Sequence, residues 1–363
     1  VIRVVHIITS LISGGAERFL VDLCKSSTSD DIEHHVISLH DEGDLGPELV
    51  EIGIPLTSLR LSKSPSALIS ANRKVEKYIS EFNIDVVHAH LFHALLCVIS
   101  SRWQHRSVQI FFSSHSPEVG GTMREVTLSF LKRYRDIDII LTEDQKRHYH
   151  KRTHIVIHNT VDYEAIHDIS SKQRKVADFT FIHVGRLSLE KNQAALIAQF
   201  AKAHKVLPQT RLWIVGDGPQ RSTLISLIDE LGLQSVVTLY GRRSDVYELL
   251  GQAHAFVLSS HYEGAPLSVL EAAAAKLPII STAVGIVPHI LSEDRGEILE
   301  NIDGMKESMV AVANHYADYM LRAQKLYSYL TSVMSYEAML FQYENAYRQA
   351  VAASRSSQSK EGK

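Results

Sequence analysis

Short runs of aliphatic and β-branched residues alternate along this chain with longer amphipathic stretches, and the alternation starts afresh near the middle. No other feature restricts the fold as much. Strands buried on both faces read as nearly unbroken apolar runs, and parallel neighbours must be joined by crossovers, usually helical. Strand candidates in the first half are residues 2–8, 35–39, 85–88, 108–113, 137–141 and 155–157. Helix candidates between them are 16–26, 65–82, 92–102, 124–135 and 143–150. A break follows at 159–162, and the polar interval 168–178 reads as a domain edge. The pattern resumes with strands at 179–184, 211–215, 236–240, 255–258 and 278–281 and helices at 192–204, 220–231, 246–251 and 267–276. The expectation is an α/β chain with two mostly parallel sheets, one domain over 1–168 and a second over 179–325. A chain of 363 residues, 45% of them hydrophobic, can bury two such cores. The aromatic, helix-forming stretch 329–350 is expected to return to the N-terminal domain, ahead of a weakly ordered polar tail at 354–363.

A formal charge of −3, with Lys and Arg spread along the chain, argues against a nucleic-acid surface. The 20 His residues make the net charge sensitive near pH 6.5, and most of them read as scattered surface groups. Cys24 and Cys97 sit in apolar, helix-like surroundings without metal-site spacing, so reduced core thiols are expected. Residues 1–8 read as a strand, not a signal peptide, and no run reaches the roughly 20 apolar residues that span a bilayer. A cytoplasmic protein is expected, with peripheral contact at the inner face of the cell membrane.

The segment 261–272 places Glu263 in a loop after an apolar strand and Glu271 in the first turns of the following helix. Two carboxylates so placed suit a hydroxyl-rich ligand. Arg186 follows another strand and Lys191 lies five residues on, near a helix entrance. Together they can neutralise a diphosphate, Arg through directed donors and Lys as a mobile charge. Gly14 and Gly15 open the first helix, where small residues let an anion approach the backbone. The set is neither the full dinucleotide fingerprint nor a Lys-containing phosphate loop. Gly216, Asp217, Gly218 and Pro219 also follow a strand and suit a sharp turn near a nucleotide, which ordinary turn chemistry explains equally well. Arg242 follows the next strand beside Arg243. These motifs recur at successive strand ends, where open α/β sheets bind ligands.

Taken together, Gly14-Gly15-Ala16-Glu17, Gly185-Arg186 through Lys191-Asn192, Gly216-Asp217-Gly218-Pro219 and the pair Glu263 and Glu271 resemble retaining glycosyltransferases of family 4. The resemblance spans nearly the whole chain and is most specific in its second half. It implies the GT-B fold, two Rossmann-like parallel-sheet domains facing an interdomain cleft, with the nucleotide sugar mainly against the second. Arg186 and Lys191 would grip the diphosphate. Glu263 would meet donor-sugar hydroxyls and Glu271 the nucleotide ribose. Backbone groups of Ala265, Pro266 and Leu267, with Gly15, Gly216, Gly218 and Arg242, would complete the donor site. His115 would contact the transferred sugar, and His88 and His90 are weaker acceptor-side or structural candidates.

The implied reaction is transfer from a UDP, GDP or ADP sugar to a saccharide or lipid-linked acceptor in cell-surface polysaccharide synthesis, with retention. No cofactor is required by this reading. There is no clear Asp-x-Asp metal motif, and His88 with His90 lacks a convincing third metal ligand. Arg18, Phe19, Arg124 and Lys132 are candidates for approaching a membrane acceptor. A nucleotide-sugar epimerase, a glycogen- or sucrose-type transferase, or a noncatalytic nucleotide-sugar sensor would carry much the same cleft.

Overall fold

The first apolar run forms β1 (Ile2–Ile8), whose neighbours are β2 (Ile32–Ser38) and β4 (Val86–His90). With β3 (Leu56–Ser58), β5 (Gln109–Ser113), β6 (Ile137–Ile140) and β7 (His154–Val156), they make a parallel seven-stranded sheet of order β3-β2-β1-β4-β5-β6-β7. A second parallel sheet contains β8 (Phe179–Val184), β9 (Thr210–Val215), β10 (Val237–Gly241), β11 (Ala255–Leu258), β12 (Ile279–Thr282) and β13 (Glu297–Leu299). Its six strands run in the order β10-β9-β8-β11-β12-β13. This computed structural model describes residues 1–12, 14–27, 29–62, 65–115 and 119–361. The chain divides into one unit of Val1–Asn159 with Glu337–Lys363 and another of Thr160–Tyr336.

Period-two alternation gives the first sheet two unlike faces. One face buries Val5, Ile7, Val87, Ala89 and Phe112 against Ala71, Val75 and Ile79 of the helix Pro65–Phe82. The other carries His6, His34, His88 and His90, fully or nearly fully buried. The reading of the histidines as mainly surface groups therefore fails for these four, and also for His35, His150 and His183. Parallel register pairs His6 with His88 and His90 with Ser113, and alternation puts His34 on the same face. The helix Tyr336–Glu361 covers this face, inserting fully buried Tyr343 and Tyr347. Cys24 and Cys97 are buried free thiols, in separate apolar clusters.

Four local expectations are corrected. Residues 143–150 form only a 3₁₀ turn, Glu143–Gln145, because side chains of neighbouring segments capture the backbone beyond it. Buried Arg135 donates to the Tyr149 carbonyl at 2.7 Å, and Asp138 accepts from the Lys151 amide at 2.8 Å. The helix expected at 92–102 splits into Leu91–Leu96 and Ser101–Gln104, with Asn72 taking up the Leu96 carbonyl and the Ser100 hydroxyl. Helix runs on both sides of 334–335, Tyr316–Val333 and Tyr336–Glu361, where a single stretch over 329–350 was expected. The polar tail is helical to Glu361, and residues 362–363 lie outside the described ones. Two strands went unread, β3 and β13. Both are three-residue edge strands, too short to show a period.

Candidate functional site

In the second sheet, β8 is followed in sequence by β9 on one side but adjoins β11 on the other. The connections therefore diverge between β8 and β11, and a crevice opens at such a switch point beyond the carboxyl ends of the strands. Lys191 comes from the segment after β8 and Glu263 from the segment after β11. They meet across that point: Lys191 Nζ donates to Glu263 Oε1, and the Ser260 hydroxyl donates to the same oxygen at 2.7 Å. Both side chains are largely buried.

The surrounding backbone explains why they meet. Lys191 ends the 3₁₀ turn Leu189–Lys191, and Asn192, in the left-handed conformation (φ 54°), starts the helix Gln193–His204. Asn tolerates that conformation better than most residues. The Lys191 carbonyl accepts from the Ser259 hydroxyl at 2.8 Å, and the His261 amide donates to the Glu190 carbonyl at 2.8 Å. Beneath them, His183 Nδ1 donates to the Val257 carbonyl (3.0 Å), leaving Nε2 to accept from Gln193 (3.2 Å). Burial pushes the His183 imidazole down to about 4, so it is neutral at pH 7 and bridges β8 to β11. Gln193 also donates to the Arg186 carbonyl at 2.7 Å.

The remaining sequence-predicted groups fall near strand ends and helix starts. The Arg186 side chain is exposed, with its backbone fixed by Gln193. Gly216 and Gly218 are required by close backbone approach. A Cβ on Gly216, whose φ is 132°, would lie 2.0 Å from the Gly185 oxygen, and one on Gly218 would lie 2.3 Å from the Leu187 oxygen. Pro266 is the N-cap of the helix Leu267–Ala274, so Leu267 begins that helix and Glu271 lies in its second turn, half-buried. Ala265 and Gly264 precede it, and the Gly264 carbonyl accepts from the Ile286 amide at 3.0 Å. Arg242 is exposed beyond β10, and Arg243 pairs with Asp245. Gly15, in the first unit, begins the helix Gly15–Ser26, and a Cβ there would meet open space.

His115 follows β5 with φ 56°, and its Nε2 lies 2.8 Å from His90 Nδ1. Residues 116–118 of its motif lie outside the described ones. His88 and His90 have 0% exposure, and both nitrogens of each are taken by protein partners. His88 faces the Tyr347 and Ser113 hydroxyls at 2.8 Å each, and His90 faces His6 and His115. Neither has a ring nitrogen open to solvent. Register also supplies the third nitrogen that sequence spacing lacks: single nitrogens of His6, His88 and His90 lie within 4.8 Å of one another. His6, Cys24 and His34 form a second such set. Both nitrogens of His6 and of His88 already have hydrogen-bond partners, and burial pushes the Cys24 thiol up and keeps it protonated.

Each of the membrane-facing candidates has a protein partner, and Phe19 is corrected to a core group. Phe19 is 2% exposed and packs on His115 and Tyr343, while Arg18 is held by Asp22 and Glu48. Arg124 lies over the Phe92 ring, and Lys132 donates to the His148 carbonyl. Sequence reading passed over His6, His34, His183, Gln193 and Ser260. Gln193 opens a helix; the signal the other four share is a polar residue in or just beyond a buried strand, a costly placement unless its hydrogen bonds are satisfied. Among the described residues no helix is long and apolar enough to cross a membrane.

Comparison with known proteins agrees with this architecture. Residues 13–165 match the family described as Glycosyltransferase Family 4, and residues 164–309 match Glycosyl transferases group 1. An uncharacterized glycosyltransferase of Methanocaldococcus jannaschii is 27% identical over 265 residues, covering 66% of this chain and 65% of that protein. The UDP-Gal:alpha-D-GlcNAc-diphosphoundecaprenol alpha-1,3-galactosyltransferase of Escherichia coli is 32% identical over 173 residues, 44% of this chain and 45% of that one. The chain thus spans less than two thirds of the length of these curated relatives. Among solved structures, Anabaena HepE in complex with UDP-glucose superposes with a TM-score of 0.82 at 19% identity, covering 96% of this chain and 99% of that one. With two parallel-sheet units and family matches that together run from residue 13 to residue 309, the chain belongs to the family 4 glycosyltransferases of GT-B fold.

Proposed function

We propose that this chain is a retaining glycosyltransferase that moves a sugar from a nucleoside diphosphate to a hydroxyl of a saccharide or lipid-linked saccharide in cell-surface polysaccharide synthesis. The observation that carries the reading is the Lys191–Glu263 pair at the switch point of the second sheet, with Glu271 in the helix that follows Glu263. An arriving donor breaks that ion pair usefully. Its diphosphate takes over the Lys191 ammonium beside Arg186, and a sugar hydroxyl replaces the ammonium on Glu263. Glu271 then accepts from the nucleotide ribose. The solved neighbour in complex with UDP-glucose favours UDP as the nucleotide, and the Escherichia coli relative favours a lipid-linked acceptor.

As the bond from the anomeric carbon to the phosphate oxygen breaks, negative charge grows on the leaving diphosphate. Arg186 and Lys191 stabilise that charge. The acceptor hydroxyl attacks the same face and passes its proton to the departing phosphate oxygen, so anomeric configuration is kept without a protein base. Glu263 holds the transferred sugar in place.

A calorimetric panel of UDP, GDP and ADP sugars against wild type and Glu271→Ala tests the reading. Preferential binding of one nucleotide series, weakened on the order of tenfold or more by loss of the charged hydrogen bond, is the expected result. NMR of the transfer product then reports the anomeric configuration. Binding indifferent to the substitution, or an inverted product, would sink the proposal; epimer formation without transfer would favour an epimerase.

A further inference from the structure

Four histidines of the first unit, His34, His6 and His90 buried and His115 half-buried, stand in a hydrogen-bonded row that the reaction proposed above does not use. His34 Nδ1 lies 2.9 Å from His6 Nε2, His6 Nδ1 lies 3.0 Å from His90 Nε2, and His90 Nδ1 lies 2.8 Å from His115 Nε2. Every link joins the Nδ1 of one ring to the Nε2 of the next. The rings are therefore strung head to tail.

A neutral imidazole carries one ring proton, as donor on one nitrogen and acceptor on the other. Burial is the leading cause that pushes all four rings well down, His34 and His115 to about 4, so all are neutral at pH 7. Only two proton arrangements then satisfy all three links. Either every ring is the Nε2–H tautomer or every ring is the Nδ1–H tautomer. A mixed row sets two protons or two lone pairs against each other in a low-dielectric interior.

The two ends decide between them. His34 Nε2 and His115 Nδ1 are both buried and have no hydrogen-bond partner among the described residues. In the Nε2–H arrangement the spare N–H lies at His34 and the spare lone pair at His115; the other arrangement reverses them. The Glu344 carboxylate acts on His34. Ser27 (3.0 Å), Ser29 and Arg348 (3.2 Å) hold it there. A negative charge at that end favours the N–H there. Nε2–H is also the tautomer that a free neutral histidine side chain prefers.

We propose that this row is a tautomer lock, in which His34, His6 and His90 act as positioning residues that hold His115 in its Nε2–H form and leave its buried Nδ1 a bare acceptor. The lock stands independently of the glycosyltransferase reading. His115 is also fixed by its positive φ and by the Phe19 ring, whose centroid lies 5.5 Å away. His88 stands outside the row: it stacks on His90 with centroids 4.1 Å apart and spends its nitrogens on Tyr347 and Ser113. A soft metal ion held by His6, His88 and His90 would displace at least one of these hydrogen bonds, so the hydrogen bonds present favour the row.

Long-range 1H–15N NMR of the full chain, labelled at histidine and free of donor, reads the tautomers directly. The expected spectrum at neutral pH shows Nε2 protonated and Nδ1 bare on all four rings. In His34→Phe the row loses its anchored end, so the two His115 nitrogen shifts should move toward each other as both tautomers populate. Glu344→Gln keeps the shape of that side chain and removes its charge; it should move the same shifts and serves if His34→Phe does not fold. An Nδ1–H ring or an imidazolium in the wild-type row overturns the proposal. So do His115 shifts unmoved in the folded variants, or stoichiometric zinc uptake that abolishes the pattern. A tautomer pattern as expected with no sugar transfer supports the lock and removes the proposed reaction alone.

Discussion

Lys191 and Glu263 owe their meeting to backbone stitching more than to their mutual attraction. The segment after β8 is clamped by the Leu187 amide donating to the Asp217 carbonyl (3.1 Å) and the Gln220 amide donating to the Leu187 carbonyl (3.0 Å). Gly218 exists to let those strands of chain touch. Gly218→Ala puts a methyl group 2.3 Å from the Leu187 oxygen, where backbone must move. An overpacked site of this kind loses about 1–3 kcal/mol. Urea unfolding should show the midpoint fall with an unchanged slope; a variant as stable as wild type would mean the loop relaxes freely. At this scale the sequence told where the glycines and cations stand, because strand ends are visible in the pattern. It could not tell that Gly216 and Gly218 serve a neighbouring backbone, since that is a contact between segments some 30 residues apart.

The helix Thr122–Leu131 buries Leu128 and Leu131 and turns Met123, Val126 and Phe130 outward, at 85%, 62% and 59% exposure. Spacing of three and four residues puts the outward three on one stripe. Tyr134 joins Phe130 to exposed Trp103, and Arg133 lies over the Phe130 ring at 4.0 Å. An apolar stripe with aromatic and basic neighbours suits an anionic lipid surface, where a lipid-linked acceptor would be found. Co-sedimentation with anionic phospholipid vesicles should weaken on the order of tenfold in Phe130→Ser, as expected for one lost apolar side chain. Equal binding by both proteins would remove this face from consideration. Helices with a full period were legible in sequence. The segment 143–150 was not, because its backbone bonds go to Arg135 and Asp138, which lie near it only after folding.

Across the whole molecule, the buried imidazoles tie stability to pH. His34, His115 and His183 are each pushed down to about 4, with burial as the leading cause. The unfolded chain binds protons at these groups near pH 6.5, while the folded chain resists until near pH 4. Their contribution is therefore complete above pH 6.5 and is lost as pH falls toward 4. Each such group costs on the order of 2 kcal/mol by pH 5. The melting temperature should drop by roughly 10 °C or more between pH 7.5 and pH 5, and a flat profile would contradict the burial of these rings. The doubly wound pattern was readable because it repeats in every strand and helix. The histidine face was not: His6, His34 and His88 are 28 to 82 residues apart in sequence, and only strand order brings them together.

That the helix Tyr336–Glu361 closes the histidine face has a consequence for how the protein is made. The unit Thr160–Tyr336 is continuous and can finish folding as it leaves the ribosome. The unit that begins the chain cannot, because Tyr343 and Tyr347, two of its large buried side chains, are synthesised after both sheets. The half that emerges first is therefore completed last, and during translation its row of imidazoles waits in water.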